Sequence, residues 1–284
     1  MKKLTIGFFG LMLLAGIFVL ALPTILHKVG LHPEYQGPKV ALPARRALVI
    51  TTSHNVLAAV GETEGPATGV VASELTHPYY VFLDGGMLVD VASMKGGKIP
   101  IAPDSLSRIS ATPETQRFLK DSIFKAKVDN SIKVDAIDFT DYDIIFLAGG
   151  WGAAYDLGYS PVLAEKISDA YYADRKPVIG AVCHGVLGLI NAKDRDGNLL
   201  IAGRRMTGVS DKQIKELKIE ITPQHPESEL RKAGALYESQ TAFRDMFATH
   251  VVVDNEQRFV TGQNQNSGLE TAHKMMLVAA RRGK

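Results

Sequence analysis

Cysteine occurs once in this chain of 284 residues, at position 183, and its neighbours are those that a nucleophile needs. Residues 177–188 read Pro-Val-Ile-Gly-Ala-Val-Cys-His-Gly-Val-Leu-Gly. Val178 to Val182 is a short apolar run behind a proline, the pattern of a buried strand in a parallel sheet. Val186, Leu187, Leu189 and Ile190 then predict a packed helix. Small residues, Ala181 and Gly185, stand two positions either side of Cys183, as a sharp strand-to-helix turn requires. A thiol at a helix N-terminus is favoured as thiolate by unpaired N–H groups and the helix dipole. His184 is placed to act as its base or imidazolium partner. These residues predict a thiol that is mostly ionised at neutral pH. The alternative is a small core residue, since free cysteine is commonly buried. An intramolecular disulfide is excluded.

The elements that must hold this turn alternate between strand and helix. Ala47 to Thr52 reads as a first strand, 73–84 as a helix kinked or started at Pro78, and Met87 to Ser93 as a second strand. Pro113 to Ser122 follows as a helix, Asp143 to Ala148 as a strand, and Ser160 to Tyr172 as a helix. Beyond the central strand, 211–217 and 227–233 read as helices, and Val251 to Val260 as a hairpin broken at Asp254-Asn255. Ser267-Gly268-Leu269-Glu270 has the form of a capping box. It opens a last helix with Ala272, Met275, Met276 and Ala279 on its inner face. Such alternation predicts an α/β three-layer sandwich with a mainly parallel central sheet. The site then lies at the carboxyl ends of the strands, where Cys183, Gly149-Gly150 and the loop before Glu74 converge.

Gly180-Ala-Val-Cys-His-Gly185 resembles the nucleophile motif of the DJ-1/PfpI (ThiJ/PfpI) superfamily. Four further blocks are similar, in order, to its heat-shock-type branch: 74–82, 92–97, 148–152 with Asp156-Leu157, and 261–264. The resemblance covers about residues 45–280. It implies a flavodoxin-like, class I glutamine amidotransferase-like fold and a homodimer. It also implies cofactor-independent glyoxalase III chemistry (methylglyoxal to D-lactate, also written D-lactate dehydratase) or a related glycation-repair activity. The substrate implied is a small aldehyde or a glycated compound. Other members of the superfamily suggest a cysteine amidase or peptidase, or a holding chaperone and redox stress protein.

Residue by residue, the resemblance places Glu74 within hydrogen-bond reach of the Cys183 sulfur. A carboxyl facing a thiolate is pushed towards its protonated form and can then donate a proton. The N–H groups of Gly150 and His184 would form an oxyanion hole. Trp151 stands where many members carry histidine. The branch has a triad acid a few residues beyond Thr207-Gly-Val-Ser210. That position falls on Ile214, with Asp211 and Glu216 on either side as candidate acids. His54 with Glu62 and Glu64 is the one conceivable metal set, and the histidines otherwise lack ligand spacing. Neither metal nor cofactor is expected.

Hydrophobic content of 46% and charged content of 22% describe a globular chain. Of the formal charge of +2, three lysines lie in the first 28 residues, so the body is near neutral and nothing suggests nucleic acid. Leu4 to Leu26 is an apolar run that as a helix would span roughly 34 Å, enough to cross a bilayer core of about 30 Å. Residues 1–28 are therefore expected to be a membrane anchor (or a signal segment), 29–44 a linker, and 45–284 the catalytic domain. Lys2 and Lys3 place the anchor's N-terminus in the cytoplasm and the domain outside it.

Overall fold

The computed structural model describes residues 2–28 and 30–282; within its first helix, side chains are described for 12–14, 16–26 and 28. The strands are β1 (Arg46–Thr51), β2 (Leu88–Ser93), β3 (Ile132–Lys133), β4 (Ile144–Leu147), β5 (Val178–Val182), β6 (Arg205–Met206), β7 (Leu236–Tyr237), β8 (Val251–Val253) and β9 (Phe259–Gly262). The helices are α1 (Lys2–Lys28), α2 (Ala72–Asp84), α3 (Pro113–Phe118), α4 (Ser122–Asp129), α5 (Ala153–Asp156), α6 (Pro161–Tyr172), α7 (Asp211–Leu217), α8 (Pro226–Lys232) and α9 (Gly268–Arg282). Seven strands form one sheet in the order β3-β2-β1-β4-β5-β9-β8. Neighbours in it are parallel except for β8, which closes a hairpin with β9. The strands β6 and β7 make a small parallel pair apart from it.

Every residue of β4 and β5 is buried, as expected of strands covered on both faces. The period of two in β1 sorts its side chains into two cores. Ala47 and Val49 face α2 and α9, with Leu75, Phe82 and Met275. Leu48 and Ile50 face the opposite layer, with Leu163, Ile167 and Leu187. The result is a three-layer α/β sandwich with a mostly parallel sheet. The inner face of α9 is as expected, with Ala272, Met275, Met276 and Ala279 all buried. Met275 fits because position 180 carries no side chain: a Cβ there would lie 2.3 Å from its sulfur.

Local departures have identifiable causes. The helix expected over Pro113 to Ser122 stops at Phe118 and restarts as α4, because the Asp121 carboxylate accepts the Phe124 N–H and caps a new turn. α2 runs unbroken through Pro78. No capping box forms at α9, since Ser267 Oγ accepts the His250 N–H and Glu270 pairs with Lys274.

The membrane anchor is corrected. Among the described residues no helix is long and apolar enough to cross a membrane. Pro23 lies inside α1 and interrupts its apolar run, where it removes a backbone donor. Beyond it the chain packs on the sandwich. Leu31 and Leu42 are buried, and the Asn266 side chain accepts the His32 N–H at 2.9 Å and donates to Gly30 O at 3.1 Å. The membrane partner and the extracytoplasmic location, both inferred from that anchor, fall with it.

Candidate active site

Cys183 follows the last residue of β5 with φ +60°, a left-handed conformation that costs a side-chain-bearing residue about 1–3 kcal/mol. The turn is tight enough that a Cβ at position 185 would lie 2.2 Å from Leu147 O. Glycine there is a steric requirement. The sharp turn is therefore present, but the segment after it, Cys183–Leu189, is a 3₁₀ helix and not the expected α-helix. Its dipole is correspondingly small, and the polar groups that reach the sulfur are individual N–H groups, those of His184 and Gly150.

Gly150 comes to this point from the other side. It lies just beyond β4 with φ +99°, and a Cβ on it would be 2.3 Å from Gly69 O. Gly149 N–H donates to Glu74 Oε2 at 3.0 Å, which fixes the carboxyl from the first turn of α2 against the Cys183 thiol. Glu74 is wholly buried, and burial raises its carboxyl to about 8, opposed by the hydrogen bonds from Cys183 and Gly149. Burial likewise raises the Cys183 thiol, and a charged Glu74 raises it further, against the two N–H groups. The dry pocket thus resists a charge on either group, and two charges most of all. His184 is also buried, with Nδ1 3.5 Å from the sulfur. Burial, with His225 nearby, lowers it to about 3, so the imidazole is neutral. Burial therefore works against the ionised thiol expected from the sequence and disfavours the charged form of Glu74, Cys183 and His184 alike.

The two candidate triad acids do not join it. Asp211 accepts the Ser228 hydroxyl proton at 2.9 Å. Glu216 accepts the Asp245 N–H at 2.8 Å and lies 3.7 Å from Lys212. The Nε2 of His184 has no hydrogen-bond partner. His54 stacks on Tyr155, and among the described residues no three His, Cys, Asp or Glu side chains could hold a metal ion.

Above the cluster opens a cavity of about 440 Å³. Trp151, Val209, Leu217, Met246 and Phe247 line it, and so do Leu26, Leu31 and His32 from the N-terminal segment. These last three escaped the sequence reading, which put Leu26 in the anchor and Leu31 and His32 in the linker. Gln213, buried and also lining the cavity, was hidden within an otherwise ordinary amphipathic helix.

Comparison with known proteins agrees with this geometry. The DJ-1/PfpI family profile matches residues 66–277. Glyoxalase 3 of Candida albicans is 30% identical over 245 residues, 81% of this chain and 97% of that protein. A probable glutathione-independent glyoxalase of Schizosaccharomyces pombe is 28% identical over 269 residues, 80% and 98% of the two chains. Among solved structures, the rapid encystment protein of Francisella tularensis superposes with a TM-score of 0.74 at 33% identity, covering 83% of this chain and 99% of that one. The crystal structure of glyoxalase III from Candida albicans gives 0.71 at 27% identity, covering 82% and 97%. With the sharp turn at Cys183, the sheet order and these matches in agreement, the chain belongs to the DJ-1/PfpI family, in the branch that holds the glyoxalase III proteins.

Proposed function

We propose that this protein is a glutathione-independent glyoxalase that isomerises and hydrates methylglyoxal to D-lactate, with Cys183 as nucleophile and Glu74 as the proton carrier. The observation that carries the reading is the buried Glu74 carboxyl, raised to about 8, held against the thiol by Gly149 N–H. A base works best with a pKa near the operating pH. The His184 imidazole, at about 3, is too weak for that task and serves to orient the sulfur.

The thiol adds to the aldehyde carbon, forming a C–S bond while its proton passes through Glu74. The oxygen that gains charge is met by the N–H groups of Gly150 and His184, a role supported by their both reaching the Cys183 sulfur. The product is a hemithioacetal. Glu74 removes the C1 proton to give an enediol and returns it to C2, leaving a 2-hydroxy thioester. Water then cleaves the C–S bond, releasing the hydroxy acid and restoring the thiol. No electron acceptor is needed, because the aldehyde carbon is oxidised as the ketone carbon is reduced. The family names of the glyoxalase relatives support the same substrate class.

The test is conversion of methylglyoxal by the purified chain, with the product assayed by a D-lactate-specific dehydrogenase. Turnover is expected for the wild type and not for Cys183→Ala. Equal rates for the two proteins, or a racemic product, would sink the reading.

A further inference from the structure

The cavity above Cys183 is far larger than a three-carbon dicarbonyl requires, and falls in the range of about 300–1,000 Å³ that buries much bigger ligands. Its walls are mostly apolar, with Gln213, Gln265 and three serines among them. Apart from Glu74 and the histidines, the charged residues that line it are Asp104 and Arg244, and both are exposed to solvent. Part of one wall comes from outside the family profile. Leu26, Leu31 and His32 precede residue 66, where that profile begins. They are held there by a built contact. Asn266, itself buried, accepts the His32 N–H at 2.9 Å and donates to Gly30 O at 3.1 Å and to Met246 O at 2.6 Å. One amide thus ties the N-terminal segment to the loop that carries Met246 and Phe247, and every hydrogen-bonding atom of the amide is used.

We infer that this N-terminal strap is a specificity wall, and that the preferred substrates are 2-oxoaldehydes bearing an aliphatic or aromatic tail, which lies against Leu26, Leu31 and Phe247 while the aldehyde meets Cys183. The inference rests on the glyoxalase reading for its chemistry and on the cavity alone for the tail. A methylene group entering an apolar pocket changes kcat/KM by about tenfold or more, so a tail that docks leaves a large signature.

Two measurements on the full chain separate the layers of the argument. The first compares kcat/KM for methylglyoxal, phenylglyoxal and 2-oxooctanal. The expected result is a rise of at least tenfold from methylglyoxal to 2-oxooctanal. In Leu31→Asp, and in the half-buried and more tolerant Leu26→Asp, that ratio should fall about tenfold. The second follows alkylation of Cys183 by N-methylmaleimide and N-hexylmaleimide, each rate divided by its rate with free glutathione. Because the chain has one cysteine, the label is unambiguous. The hexyl reagent should be favoured at least tenfold, and less so in both variants. Methylglyoxal turnover with no chain-length effect in either measurement would overturn the inference and leave the proposed function intact. Chain-length-dependent alkylation without turnover of any 2-oxoaldehyde would support the tail-binding wall and defeat the glyoxalase reading. Wild-type selectivity that both variants retain would show that the strap is not the wall.

Discussion

At the scale of single residues, the site is governed by where one proton sits. Burial raises both Glu74, to about 8, and Cys183, so loss of the first proton from the pair is opposed up to the neutral range. That proton belongs to the pair, and in the proposed mechanism its loss generates the reactive form. The rate kcat/KM should therefore rise as pH passes through about 8 and then level off. His184, titrating near 3, should add no limb between pH 5 and 9. Glu74→Gln removes the carrier. We expect turnover to fall by about 10²–10⁴ and the alkylation limb of Cys183 to move above 9. The same substitution should stabilise the fold. A carboxyl raised from 4.5 to about 8 binds more protons folded than unfolded, so its contribution is complete below the unfolded value and is lost as pH rises through 8. Thermal melts from pH 5 to 9 should show the wild type falling in Tm across that window and Glu74→Gln falling less. Gly150→Ala is the steric counterpart. With φ +99° and Gly69 O in the way, it should cost about 2–5 kcal/mol in stability and at least about 10²-fold in kcat.

At the scale of elements, the hairpin of β8 and β9 shows how one side chain can organise a turn. Asp254 is fully buried. Its Oδ1 accepts the N–H groups of Arg258 at 2.6 Å and Phe259 at 2.8 Å, and its Oδ2 accepts from Arg204 at 2.6 Å. The carboxylate thus pairs a charge and closes the turn that carries β9 to its place beside β5. Asp254→Ala would leave two N–H groups and a part-buried guanidinium without it, at about 3–5 kcal/mol. Asp254→Asn keeps the acceptor for the turn and should lose less. Urea unfolding of the two variants distinguishes these outcomes; equal losses would mean that the charge, and not the turn, is what matters.

At the scale of the whole molecule, three distant segments meet around His77. His77 Nε2 of α2 lies 3.4 Å from Glu114 Oε2 of α3, and the His32 ring approaches His77 edge-on at 6.1 Å. Burial would raise the Glu114 carboxyl, but its contacts with His77, helped by its own N–H and by Thr112, outweigh this and hold it at about 2. The sign follows from the depressed value. The stabilisation is fully present above the ordinary carboxyl range and is lost as pH falls towards 2. Glu114→Gln should therefore narrow the difference in stability between pH 6 and pH 3, read from urea midpoints at the two values. An unchanged difference would show that the contact contributes nothing to acid tolerance.

The parts legible in the chain were those whose signal is local. Continuous apolar runs identified β4 and β5, because a strand covered on both faces has no polar side to show. Small residues around Cys183 identified the sharp turn, because a Cβ at 185 would strike β4. Five ordered motifs carried the family and, with it, Glu74 and Gly150. The edge strand β3 was missed, since its two residues are both exposed and carry no pattern. What tertiary structure alone decided is electrostatic and positional. The acid–base state of Cys183 depends on how dry the pocket is, and that is a property of α2, β4 and β5 packed together. The placement of the segment after α1 depends on Asn266, 234 residues away from the His32 N–H that it accepts. Local sequence carries no record of a contact between residues so far apart, because the fold alone brings them together.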